Sequence, residues 1–523
     1  MAADASNAFL AYHEPDIVSI LTLISFFLFL AIAEWLADKV VRASLIGHII
    51  VGLIYGVPIA NILALDWQET FLALGYIGLI LIIFEGGLTI RLDLLRQNLL
   101  LSIVAALIGI LTPIALSFAL LNVGFHHTPL EAFIVGTALS TTSLGTTFVV
   151  LSSASKSKAS SSSSSSSAED TDANPNLAAA ANVDFSQTRI GTVLVSAAVL
   201  DDVCGLVLVS VIHNLRGIAD DDDGGDGSGS GSAGLGWIIG RPVLASVLMA
   251  VLTPAVAKFA VAPVYRRFVE PGLAVRFGHV FNILLMTVVL SAFLAIAAYA
   301  GASVLFGAFL AGAFLSGLPA KRNSGGGSER APGFTETFEE YLGAPQKYVF
   351  QPLFFASIGF AVPFIELWTG EVVWKGIVYT LLMAFGKLLV GIVVPAWDLV
   401  SSRRKGGSLE KTTGRHTASW APATLLGTAM VARGEIGLLV IQIGLNETPF
   451  LTRKAFVIGV WAIVLNTIIG PVLVGVLLKR VGASIASDYR WGVQAKHGSG
   501  AEGDTGAEPT DTSGGTSPRP GLV

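Results

Sequence analysis

Two adjacent aspartates, Asp201 and Asp202, sit midway along the apolar stretch 196–212, SAAVLDDVCGLVLVSVI. On a helix, neighbouring residues point about 100° apart, so the two carboxylates cannot serve one face. One can look into a cation path while the other pairs with an adjoining helix. Desolvation and mutual repulsion both penalise the second negative charge. A carboxylate placed so can hold a proton or a desolvated Na⁺ or K⁺, but hardly both. That competition is the minimum chemistry for exchanging one against the other. The plainer alternative for either residue is a buried acid that only tethers helices.

Three further ionisable residues lie deep in apolar sequence, where a charge at a helix centre costs about 2.5–3.5 kcal/mol even on lenient insertion scales. Lys387 is central in 381–395, LLMAFGKLLVGIVVP, with more than ten residues to either end of its apolar segment. Snorkelling to the interface would be a long reach, and an ion pair with Asp201 is the better reading. Arg433 and Glu435 lie in 425–444, where glycines at 427, 434, 437 and 444 weaken regular helix. The other expected break is 136–150, GTALSTTSLGTTFVV. Its Ser140, Thr141, Thr142, Ser143, Thr146 and Thr147 offer hydroxyls and freed carbonyls to a cation. Irregular backbone survives at membrane depth only where protein or a water-lined cavity shields it. Two interrupted helices, one in each half of the chain, fit an inverted-repeat transporter with a midplane site. His48, His213 and His279 are isolated and read as ordinary polar contacts, and no catalytic metal or cofactor is called for.

The elements that must carry these residues are membrane-spanning helices. With mean hydropathy +0.70, 53% hydrophobic and only 13% charged residues, the chain falls well below the roughly 25% charge of a soluble domain. Apolar stretches of spanning length recur at about 17–37, 45–65, 71–90, 98–123, 129–151, 187–213, 235–259, 277–300, 302–319, 345–368, 372–400, 421–445 and 455–480. The expectation is an all-α integral membrane protein of about 13 transmembrane helices. Of the 32 lysines and arginines, 24 fall in connections after odd-numbered segments or in the tail and only 5 after even-numbered ones. By the positive-inside rule the N-terminus is then extracellular or lumenal and the C-terminus cytoplasmic, in a plasma membrane or an endomembrane.

Residues 1–16 lack the basic n-region of a cleavable signal, and 17–480 read as one transmembrane domain. Within it 152–186, with its unbroken serine run 160–167, and 214–234, rich in Asp, Gly and Ser, read as disordered loop insertions. Residues 481–523 read as a disordered cytoplasmic tail, since such compositions cannot bury enough apolar surface to order themselves. The single Cys204 excludes an intramolecular disulfide. No P-loop occurs, which argues against ATP-driven pumping, and nothing points to nucleic acid as a partner.

The segments VLDDVCGLV around Asp201–Asp202, TALSTTSLGTT, QPLFFASIGF at 351–360, FGKLLVG around Lys387 and ARGEIGLL around Arg433–Glu435 together resemble the cation:proton antiporter-2 family. The resemblance spans about 17–480. It implies a homodimer whose protomers each have a dimerisation domain and a mobile core, with two interrupted helices crossing near the ion site. It also implies that Asp202 binds proton and cation, and that Asp201 with Lys387 marks charge-moving exchange. The expected activity is antiport of H⁺ against Na⁺ or Li⁺ by an elevator-like movement of the core. Thr141, Thr142 and Ser143 would lend oxygens to the cation, and Arg433 and Glu435 would support a broken helix. A K⁺/H⁺ exchanger or a cation channel is the nearest alternative. An intramembrane aspartyl protease is remote, because the acids are adjacent on one helix and no GxGD motif occurs.

Overall fold

A computed structural model describes residues 14–41, 43–90, 98–143, 188–215, 233–267, 275–318, 332–404, 409–488 and 490–492. Among them every regular element is helical. The chain runs through α1 (Ile17–Val41), α2 (Ser44–Tyr55), α3 (Leu65–Leu88), α4 (Leu99–Ser117) and α5 (Pro129–Ala138). After residues outside the described set come α6 (Arg189–Asn214), α7 (Ala233–Val256), α8 (Val275–Ala300) and α9 (Val304–Ser316). The remainder are α10 (Phe334–Tyr341), α11 (Gln351–Phe360), α12 (Gly370–Leu388), α13 (Val393–Arg404), α14 (Leu409–Ala429), α15 (Glu435–Glu447) and α16 (Arg453–Ser487). Among the described residues eight helices are long and apolar enough to cross a membrane, and α2, α5 and α9 are shorter apolar helices.

Local chemistry explains where the helices depart from the apolar stretches. The stretch 45–65 holds a helix of only 12 residues, because Gly56 and Pro58 end α2 and the chain re-enters helix at Leu65. The stretch 345–368 stops being continuous at Phe360, before Pro363. In the stretch 129–151, α5 ends at Ala138, residues 141–143 are non-helical, and 144–151 lie outside the described residues. The loop 152–186 lies outside them too, and of 214–234 only the ends are described, as the last turn of α6 and the first of α7. The tail boundary moves. Helix α16 continues to Ser487, because apolar Val481 and Ile485 still have protein to pack against, and beyond it the Gly492 amide donates to the Asp488 carbonyl; residues 489 and 493–523 lie outside the described set.

The helices sort into two bundles. In the first, α2 packs on α1 and α11, α3 on α9 and α11, and α8 on α9. In the second, α4 packs on α5, α6 and α12, while α16 packs on α12, α14 and α15, and α15 on α5 and α6. Helix α7 lies along α6 and also touches α9. Otherwise the bundles meet sparingly, α6 against α9 and α15 against α11. Asp201, Asp202, Lys387, Arg433 and Glu435 all belong to the second bundle.

Candidate functional site

The site is assembled where two helix breaks cross. Beyond α5 the chain is non-helical at Thr141–Ser143, and before α15 it is non-helical again at Ala432–Gly434, where Gly434 is extended. The Ser143 amide donates to the Ala432 carbonyl (3.0 Å), and Arg433 Nη1 donates to the Thr141 carbonyl (2.6 Å). The Thr467 hydroxyl of α16 donates to the Arg433 carbonyl (3.0 Å). Backbone groups freed by the breaks are thus satisfied across the crossing and, at Arg433, by α16, as a low-dielectric interior requires. The crossing is close enough to need glycine: a Cβ on Gly434 would lie 2.6 Å from the Ser143 side chain.

Asp201 is fully buried, and so is Lys387. Lys387 Nζ donates to Asp201 Oδ2 (2.6 Å) and to the Thr142 hydroxyl (2.9 Å). That hydroxyl in turn donates to Asp201 Oδ2 (2.8 Å). The triangle therefore joins α6, α12 and the first break. Helix α4 closes over it at Gly109, where a Cβ would sit 3.2 Å from both Asp201 Oδ2 and Lys387 Nζ.

Asp202 points elsewhere, as adjacent helical residues must. It is only partly buried and lines a small crevice with Thr141, Thr142, Ser143, Gly434, Glu435 and Ile436. Asp201, Asp202, Thr141, Thr142, Ser143, Lys387, Arg433 and Glu435 thus all lie at the crossing, but in two compartments. Asp201, Lys387 and Thr142 form a buried polar triangle. Asp202 and Glu435 share the pocket with the hydroxyl-bearing Thr141–Ser143, so Thr142 borders both. Arg433 is fully buried behind it. Thr146 and Thr147 lie outside the described residues. The chemistry open to the pocket is binding of a small cation by anionic and neutral oxygens, the ligand set hard cations prefer.

The histidines lie away from the crossing: His48, buried in the first bundle, stacks on Phe355 and lies 3.6 Å from Glu34 Oε2, His279 meets Thr337 and Glu340, and His213 is exposed near the end of α6.

The model of the transmembrane sodium/hydrogen exchanger family matches residues 22–162 and 185–480. The chain belongs to the sodium/hydrogen exchanger family. It is accordingly a multi-pass membrane protein of a cation/proton antiporter family and not an enzyme. The exchanger is 23% identical over 450 residues to a Na⁺/H⁺ antiporter of Enterococcus hirae, covering 84% of this chain and 93% of that one. It is 24% identical over 416 residues to GerT, a probable Na⁺/H⁺ antiporter of Bacillus cereus, covering 79% and 87%. Its fold is similar to that of the sodium/proton antiporter MjNhaP1 of Methanocaldococcus jannaschii, with TM-score 0.50 and 17% identity, over 89% of this chain and 99% of that one.

One residue that sequence reading passed over holds the far end of the exchanger's second bundle together. Glu131, in the first turn of α5, is buried and accepts from the Thr128 amide (2.8 Å), the Thr452 amide (3.1 Å) and the Thr452 hydroxyl, with His127 Nδ1 at 3.3 Å. One carboxylate so ties the N-termini of α5 and α16, whose first amides lack partners within their own helices. The T-x-x-E spacing of Thr128–Glu131 is a capping-box signal, but nothing local announces Thr452. Glu131→Ala is expected to lower stability by about 2–4 kcal/mol, as several buried donors lose a charged acceptor together. Thermal unfolding of the purified protein in detergent would read this, and an unchanged midpoint would show that Thr128 and Thr452 cap without it.

Proposed function

We propose that the chain exchanges protons for a monovalent cation, Na⁺ or Li⁺ in preference to K⁺, by alternating access, with Asp202 taking proton and cation in turn. The observation that carries this reading is the division of labour between the two aspartates. Lys387 neutralises Asp201 inside the protein, whereas Asp202 lines the pocket with Glu435 and the oxygens of Thr141–Ser143. Two carboxylates in one small pocket resist ionising together. A cation between them offsets that repulsion, and a proton on Asp202 does the same, so the two ligands compete. Glu435 thereby does more than support the break; it adds a second carboxylate beside the cation. Arg433, spent on the Thr141 carbonyl, stabilises the crossing.

The sparse contact between the bundles supports an elevator-like movement of the second past the first. In that movement α6 would slide on α9 and α15 on α11, carrying the whole site with them. The first bundle, with the exposed apolar surface of α1, would be the fixed part through which two copies associate. The bias of Lys and Arg supports an N-terminus outside or in a lumen and a C-terminus in the cytoplasm.

The test is a pH-gradient assay in proteoliposomes with Na⁺, Li⁺ and K⁺ added in parallel and the membrane potential monitored. Added Na⁺ or Li⁺ is expected to dissipate the gradient more effectively than K⁺ and to generate a potential. Ion flux without proton movement would overturn antiport in favour of a channel, and an equal response to K⁺ would overturn the selectivity.

A further inference from the structure

Beyond the end of α16 the chain turns back into the second bundle. The Asp488 side chain accepts from the Arg490 and Trp491 amides (2.8 and 3.4 Å), and the Gly492 amide donates to the Asp488 carbonyl (2.7 Å). Trp491 is thereby fully buried, whereas a tryptophan beside a terminal membrane helix ordinarily rests at the interface. Its indole N–H donates to Asp398 Oδ2 of α13 (3.2 Å), an oxygen that also receives Arg490 Nη1 (3.1 Å) and the Ser419 hydroxyl of α14. The Arg189 guanidinium lies over the indole ring, 5.0 Å from its centroid, and Arg189 Nε donates to Asn98 Oδ1 at the start of α4 (3.2 Å).

The main chain does something more specific. The carbonyls of Gly492 and Trp491 accept from the amides of Arg189 and Ile190 (3.0 and 3.2 Å). These are the first two amides of α6, which have no partner within their own helix; the Thr188 hydroxyl takes a third, at Gly191 (3.1 Å). Helix α6 carries Asp201 and Asp202. Its N-terminus has no short tether to the preceding element, because residues 144–187 separate it from Ser143.

We propose that Arg490–Gly492 is a clamp that positions α6, with Trp491 as its key, and that it fixes the helix along its axis so that Asp201 stays in reach of Lys387 and Thr142. From Arg189 to Asp201 the helix is uninterrupted by proline, a span of about 18 Å at the usual rise, so a shift at the clamp arrives at the aspartates as a shift of the same size. All the anchors, Asn98, Arg189, Asp398 and Ser419, belong to the second bundle. The clamp therefore travels with that bundle and does not tie it to the first. The functional consequence rests on the reading of Asp202 as the exchanging carboxylate.

The experiment compares the full chain with Trp491→Ala, Trp491→Phe and truncations after Ser487 and after Gly492, all in proteoliposomes, with hydrogen–deuterium exchange on the same samples. Trp491→Ala and truncation after Ser487 are expected to raise the half-saturating cation concentration about fivefold or more, the scale of a site coupled through a few contacts. They should also displace the pH profile and speed exchange of the α6 N-terminal amides. Trp491→Phe keeps the ring over Arg189 and is expected to recover most of the affinity, and truncation after Gly492 to match the full chain. The clamp is refuted if truncation after Ser487 lowers only the amount of active protein, or if the amides loosen while affinity and pH profile stay put. Failure of the site reading looks different: Asp202→Asn would still exchange, whatever the amides do.

Discussion

Asp202→Asn is expected to remove exchange altogether, leaving proteoliposomes whose response to Na⁺ matches empty ones. Asparagine keeps the shape of the side chain and α6 is otherwise untouched, so the loss would be chemical. The amide cannot take up a proton in the range where the carboxylate does, and it offers the cation a dipole in place of a charge. At about 4 Å and the effective dielectric of a protein near water, a unit charge pair is worth about 4 kcal/mol, which corresponds to about a thousandfold in affinity. Glu435→Gln, in the same pocket, leaves Asp202 to carry the proton and is expected to retain exchange with a weakened apparent affinity for the cation. Normal transport by Asp202→Asn would remove the assignment, and silence of Glu435→Gln alone would transfer it.

The residues behind this prediction were conspicuous in the sequence for a physical reason. A charge in an apolar segment is expensive, so Asp201, Asp202, Lys387, Arg433 and Glu435 each stand out without any knowledge of the fold. Helix periodicity also implied that the aspartates diverge. What the sequence did not carry was register between distant segments. Thr141, Thr142 and Ser143 stand out among six hydroxyl-bearing residues, but only the crossing shows that Thr142 bridges to Lys387, 245 residues away. Likewise Glu435 is one helical residue among glycines until the second break places it beside Asp202. Thr452 caps α16 with its own hydroxyl, yet its bond to Glu131 spans 321 positions. The apolar run ends at 480, so composition marks no helix beyond it, although tertiary packing carries α16 on to Ser487. Composition favours a free tail and gives no weight to Trp491, since two aromatics, Tyr489 and Trp491, just ahead of a glycine-rich stretch make no pattern that identifies what buries the second.

The buried pair of Asp201 and Lys387 gives the second large effect, and its sign depends on whether one partner or both are removed. Both side chains are fully buried, so Lys387→Met leaves a carboxylate without its cation, and Asp201→Asn leaves an ammonium without its anion. Breaking a buried pair from one side is expected to cost about 3–5 kcal/mol, because the remaining charge keeps its desolvation penalty. Replacing both need not cost anything comparable, since no uncompensated charge remains. Each single variant should therefore unfold at a lower temperature in detergent than the parent, and Asp201→Asn/Lys387→Met should recover most of that loss. Additive losses in the double variant would mean that the two residues act independently, in conflict with the 2.6 Å contact. The same double variant tests the transport reading. With Asp202 and Glu435 intact it is expected to go on exchanging cation for proton, but on the proposal that the Asp201–Lys387 pair takes part in charge movement the potential generated per cation should fall. A double variant that folds, exchanges and builds an undiminished potential would confine the pair to a structural role and place the charge movement on the pocket alone.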